Sequence, residues 1–246
     1  MHSGAVSGDA GEVMLHKVAA FVTPGVGARQ ALLVIEHPNA GIQLPAGTVE
    51  VGEAPETAVL RELREEAGLS EVTLVQKLAE FSQLTGDQRV MCQTVRLQAG
   101  PEPDAPWLEY SFRRGWYVRE VGRQNGRVHI CYEEHAYEGN TPGEVVLSWD
   151  GWVGETAVTQ HLIRHLYHLR PTRELPDEWY ADPGDHGHPP WRLFWQPLAT
   201  AELVQGQQEW LERVRGRVRM RNEKGERGGV LISHFSLLTS PLYFTH

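Results

Sequence analysis

The sequence predicts a mixed α/β fold, and three observations carry that reading. Short apolar runs with β-branched residues stand at Val18–Val22 and Ala31–Ile35, parted by the turn residues Pro24, Gly25 and Gly27. Residues 54–67 are rich in alanine, glutamate, leucine and arginine, with Pro55 suited to a first helical turn and Gly68 to a left-handed stop. Near the other end, a strand-like Arg192–Trp195 precedes an amphipathic helical stretch, Thr200–Val214.

Residues 1–12 are small, polar and glycine-rich, and read as a flexible terminus. Pro45 and Gly47 make 41–51 a loop region with one short strand. After the helix, Val72–Phe81 and Arg89–Leu97 read as two strands of a hairpin turning at Thr85–Gly86–Asp87. Trp107–Val118 and Arg127–Tyr132 pair across Gln124–Asn125–Gly126. Residues 154–169 read as a helix, with Leu162, Leu166 and Leu169 along one side and His161, His165 and His168 at helical spacing. The proline-, aspartate- and glycine-rich stretch 171–190, with His186 and His188, reads as a long loop. Alternating arginines from 213 to 221 give a strand period past residue 216, so 216–246 reads as a C-terminal extension with a hairpin. That basic strand suits a phosphate, an acidic tail, a dimer contact or a solvated face.

Composition limits the function. A chain of 246 residues suits one large domain or a domain with an appendage. Thirty-two acids against twenty-three bases leave a net charge of −9, which disfavours nucleic acid and anionic membranes as partners. Two cysteines, Cys92 and Cys131, are too few for a disulfide framework or a four-cysteine zinc site. Neither a signal-peptide pattern nor an apolar run of about 18 residues is present, so a cytoplasmic location without a membrane partner is expected.

The chemistry concentrates in the 54–67 helix. At about 100° per residue, Glu62, Glu65 and Glu66 share an arc of roughly 100° that also holds Ala58, while Leu60, Leu63 and Ala67 lie opposite. Like charges at this spacing repel by a few tenths of a kcal/mol per pair, roughly, and no lysine separates them. A solvated face is one reading. The other is a hard divalent cation, which would turn the repulsion into ligation. Arg61 and Arg64 flank the arc, and Arg61 is placed to pair with Glu53.

Gly47, Glu53 and the run Arg61-Glu62-Leu63-Arg64-Glu65-Glu66-Ala67-Gly68-Leu69 stand at the spacing of a complete Nudix box, and the sequence resembles the Nudix hydrolase family there. The likeness in element order extends over roughly 13–98. It implies an α/β/α sandwich around a mixed sheet, a Nudix domain over 13–215, and a large insertion or elaborated edge over 99–190. It implies metal-dependent hydrolysis of the pyrophosphate linkage in a nucleotide or nucleoside diphosphate derivative. A decapping-like enzyme acting on RNA 5′ ends and a non-catalytic nucleotide-binding module are the alternatives. Mg²⁺ or Mn²⁺ would be held by Glu62, Glu65 and Glu66, with the Gly47 carbonyl and Glu50 as further donors. Glu53 and Arg61 would brace the loop.

The base that activates water would be Glu66 or Glu65, or a downstream acid, Glu133 or Glu134, following the strand-like Val128–Tyr132. Arg29 and Arg89 are candidates for phosphate, and Trp116 and Tyr117 for stacking on a base or sugar, although such aromatics commonly pack cores. The proline that ADP-ribose-directed members often carry beyond the box is absent from Ser82–Thr85. A small nucleotide-derived substrate and a homodimer are what the resemblance implies as partners.

Overall fold

The computed structural model describes residues 13–24, 30–184 and 189–218. Arg29, His186, His188, the N-terminal twelve residues and the hairpin expected past 218 lie outside them. The first strands are β1 (Leu15–Val22), β2 (Ala31–His37), β3 (Gly41–Gln43) and β4 (Ala46–Thr48), followed by α1 (Pro55–Ala67). Then come β5 (Val72–Leu84), β6 (Gln88–Met91), β7 (Val95–Gln98), β8 (Trp107–Phe112), β9 (Tyr117–Gln124), β10 (Arg127–Glu138), β11 (Thr141–Gly154) and β12 (Val158–Thr159). The chain continues through β13 (His161–Pro171), β14 (Glu178–Ala181), β15 (Trp191–Pro197) and α2 (Gln205–Val214).

The described residues form three sheets. The first is mixed, in the order β4-β1-β13-β5, with β1 and β13 parallel. The second is antiparallel, β14-β15-β2-β3. Alternation along β1 and β2 explains the layering. Val18, Ala20, Val22, Leu33 and Ile35 join Ala58, Val59, Leu63 and Ala67 of α1 in one core. Ala19, Phe21, Leu32 and Val34 join Trp210, Leu211 and Val214 of α2 in another. Both faces of these strands are therefore covered, which is why they read as continuous apolar runs. Burying a leucine such as Leu63 contributes roughly 2 kcal/mol.

The third sheet has seven strands, β12-β6-β9-β10-β11-β7-β8, all from residues 88–159 and with a core of its own around Phe112, Ile130 and Val153. It is inserted between β5 and β13, which pair with each other in the first sheet.

Several expectations change. Residues 154–169 are not a helix: a single 3-10 turn at Glu155–Ala157 is followed by β12 and β13. The side chains at 165–169 are all buried, because β13 lies between β1 and β5, so the leucine spacing reflects a two-faced strand. Val72–Phe81 and Arg89–Leu97 do not form a hairpin. β5 pairs with β13 and β6 with β9 and β12, so the turn carries the chain from one sheet to another. The Trp107–Val118 run is broken by a turn, and β9 alone pairs with β10 across Asn125–Gly126. The loop 171–190 contains β14, and the second helix begins at Gln205 rather than Thr200. Residues 215–217 form a turn rather than the start of a strand. Among the described residues no helix is long and apolar enough to cross a membrane.

Candidate active site

Helix α1 starts with Pro55 and stops at Gly68, whose positive φ of 69° lets its N–H return to the Arg64 carbonyl. Ala58 is fully buried and Leu60 is exposed, the reverse of a simple apolar-versus-acidic division. The acidic arc faces protein: it packs on β4, the edge strand beside β1.

β4 presents its backbone to the carboxylates. The Ala46 N–H donates to Glu66 Oε2 at 2.8 Å, and the Thr48 N–H to Glu62 Oε1 at 3.0 Å. Pro45 and Val49 bond inward to Ala20 and His16, and Gly47 sits opposite Val18. By antiparallel alternation the Gly47 carbonyl therefore turns toward β1, and the Ala46 carbonyl is the one facing the helix.

Arg61 ties the arc together. It pairs with Glu53 through Nε and a terminal nitrogen, 3.0 and 2.9 Å, and donates to Glu62, Glu65 and the Thr48 carbonyl. These bonds hold the Glu53 carboxyl below the usual carboxylate range. Burial has the opposite effect on the others: it raises Glu62 and pushes Glu66 well above the ordinary value, Glu66 also feeling the charge of Glu62. Glu66 retains some exposed surface, so it opens on the cavity while protein surrounds it on its other sides.

That cavity has a volume of about 710 Å³ and is lined by Glu50, Arg61, Glu62, Glu65 and Glu66, by Gly47, and by Trp116 and Trp191. Three further basic residues line it as well. Lys17 comes from β1, and Arg113 and Arg114 from the turn between β8 and β9 of the inserted sheet. Lys17 Nζ donates to the Gly115 carbonyl at 2.7 Å, and Arg114 to the Val49 carbonyl at 2.6 Å. Gly115 has φ +89°, and a Cβ there would stand 2.1 Å from Thr48 Oγ1, so only glycine lets this turn press on β4. Burial, with Arg164 adding like charge, lowers Lys17 to about 7.

Residues 15–128 match the family model described as NUDIX domain. The β1 strand of the matched stretch pairs with β13, which lies beyond it, and part of the core under α1 comes from β13 and β15. A solved structure described as the NUDIX domain of Shewanella oneidensis NrtR complexed with ADP ribose is similar at 12% identity. That match covers 85% of this chain and 90% of that one, with a TM-score of 0.39. No curated protein sequence matches the chain.

Around the Nudix box the structure gathers Gly47, Glu50, Arg61, Glu62, Glu65, Glu66 and Trp116 on one cavity, with Glu53 behind Arg61. Four other candidates are not in the lining. Arg89 pairs with Glu120 at 2.6 Å, and Glu133 with Arg119 at 3.0 Å. Glu134 accepts from Tyr132 and Asn39, and Tyr117 contacts Arg164. Sequence reasoning missed Lys17, Arg113 and Arg114. Lys17 had a signal, a lone charge inside the apolar strand LHKVAAFV.

The donor set suits a hard divalent cation in chemistry: two enclosed carboxylates destabilised by burial, an outward Ala46 carbonyl, and Glu65 at the rim. Among the described residues no group of three or more His, Cys, Asp or Glu is already gathered for a metal. Glu65 and Glu62 are turned toward Arg61 instead.

Proposed function

We propose that this protein hydrolyses the pyrophosphate linkage of a nucleoside diphosphate derivative with the help of Mg²⁺ or Mn²⁺. The observation that carries the reading is that the enclosed Glu62–Glu66 pair lines one cavity together with Lys17, Arg113 and Arg114. A pyrophosphate bridge needs both kinds of group: carboxylates to hold a cation, and positive donors for the phosphate oxygens the cation leaves exposed. Glu62, Glu66 and the Ala46 carbonyl would hold the metal, with Glu65 joining on release from Arg61 and Glu50 at the rim. The metal supplies charge neutralisation and an acidified water.

The chain's own groups do the rest. Glu66, whose proton affinity burial raises, is the proton acceptor for the attacking water. Arg114 and Lys17 orient phosphate oxygens, and Trp116 at the cavity lining is the aromatic group placed beside a base. Glu133 and Glu134 have no part in this reading, because other partners hold them off the cavity.

A second reading, a non-catalytic nucleotide-binding module, is favoured by one observation. Arg61 and two backbone N–H groups already supply the glutamates with hydrogen-bond partners. Nucleoside diphosphate sugars, dinucleotides and nucleoside triphosphates, each incubated with Mg²⁺ and with EDTA, separate the two. Metal-dependent release of a nucleoside monophosphate supports hydrolysis. Binding without turnover of any of them supports the module.

A further inference from the structure

A second cavity, about 550 Å³, lies along β5 and shares no lining residue with the first. It is lined by Val75–Leu78 of β5, His168 and Arg170 of β13, and Arg217 just past α2. β5 is irregular there. Its register against β13 slips between Leu166 and Tyr167 and again between His168 and Leu169, leaving Leu78 and Val75 without a partner. Such bulges re-aim side chains and recur beside binding sites.

Two buried nitrogens at this cavity have no partner among the described residues. One is His168 Nδ1, on a residue 1% exposed. Its other nitrogen, Nε2, is 2.8 Å from Thr23 Oγ1. When the threonine hydroxyl donates to Nε2, the proton sits on Nδ1 and makes it a donor. Burial and the charge of Arg170 lower His168 to about 4, which keeps the ring neutral at pH 7. Arg170 Nε is likewise buried and unpartnered, and Arg217 gives one terminal nitrogen to the Leu78 carbonyl at 2.6 Å. Among the described residues, no aspartate or glutamate lines the cavity. The nearby Glu80 is engaged by Lys77 and His165. Buried donors left unmet are costly, and two guanidinium groups without a carboxylate in a chain of net charge −9 are an unusual concentration.

We propose that this cavity binds a phosphate-bearing anion, seated by the guanidinium groups of Arg170 and Arg217 and by the Nδ1 proton of His168. A tetrahedral oxyanion accepts from several directions at once, and planar guanidinium donors match its edges. The site is independent of the hydrolase reading, since its residues belong to β5, β13 and the segment after α2.

The test is calorimetric titration of the full chain with inorganic phosphate and, separately, with AMP. It is run on the wild type and on Arg170→Gln, Arg217→Gln, Arg114→Gln and Arg119→Gln. Saturable binding weakened about tenfold or more by Arg170→Gln and Arg217→Gln, and unchanged by Arg119→Gln, is the expected result. Binding of phosphate alone points to the free ion, and binding of AMP as well points to a nucleotide phosphate. Loss of binding in Arg114→Gln alone would place the anion in the box cavity and overturn the proposal, as would the absence of saturable binding. Arg217 is exposed and its side chain gives one carbonyl contact, so Arg217→Gln is the variant expected to fold normally. The ring signals of His168 in the wild type, followed by NMR, should shift on phosphate addition. A ring that does not respond contradicts the site without any mutation.

Discussion

Gly47 and Glu62 approach so closely that a Cβ on Gly47 would stand 1.9 Å from the Glu62 carboxyl carbon. The glycine of the box is therefore a matter of space. It lets the helix carboxylate lie against β4, where the Thr48 N–H reaches it. Gly47→Ala is expected to push Glu62 out of the cavity and cut turnover by about a hundredfold or more, a 1 Å displacement being enough for that. Turnover assays beside thermal melts check this. Unchanged turnover in Gly47→Ala would show that the Glu62 position does not matter.

Glu66→Gln separates chemistry from folding. Burial raises the proton affinity of Glu66 in the folded state, so its ionisation costs stability as pH rises from the ordinary carboxylate range toward the raised value. Removing the charge while keeping an acceptor for the Ala46 N–H should raise the melting temperature of the metal-free protein at neutral pH. A metal-free Glu66→Gln protein that melts below wild type contradicts this account of the acidic pocket.

Arg61 is the structural centre of the box. Its side chain is 18% exposed and serves Glu53, Glu62 and Glu65 together. Arg61→Ala leaves those carboxylates without their cation, and a loss of about 3 kcal/mol is expected from urea unfolding. Part of that loss should return on adding Mg²⁺, because the released carboxylates become available as ligands.

Lys17 gives a pH signature. Its folded-state value is near 7 against an ordinary 10.5, so between these the unfolded chain binds the extra proton. Stability from this group rises with pH across that window and is lowest below about 7. Lys17→Met should flatten this slope in metal-free unfolding curves recorded from pH 7 to 10. A slope identical to wild type would mean the lysine is not held in a desolvated position.

The box helix was legible because its signals are local: Pro55 and Gly68 bound it, and glutamates three and four apart define a face. What that face meets was not legible. Ala58 is buried and Leu60 exposed because β4, brought in by pairing with β1, covers the acidic side. β13 was misread for a related reason. Strands covered on both faces lose the two-residue alternation, and Leu162, Leu166 and Leu169 then imitate a helical stripe. The β5–β6 turn resembled a hairpin because local turn chemistry says nothing about which sheet the next strand joins. Arg113 and Arg114 reach the cavity only through that inserted sheet, so their role depends on pairings distant in sequence.

Product analysis of a nucleoside diphosphate panel with Mg²⁺, wild type beside Glu66→Gln, decides whether Glu62 and Glu66 act with a divalent cation on a pyrophosphate bridge. The wild type should release nucleoside monophosphate, and that release should fall by orders of magnitude in a well-folded Glu66→Gln protein. Near-equal turnover by the two would contradict that role.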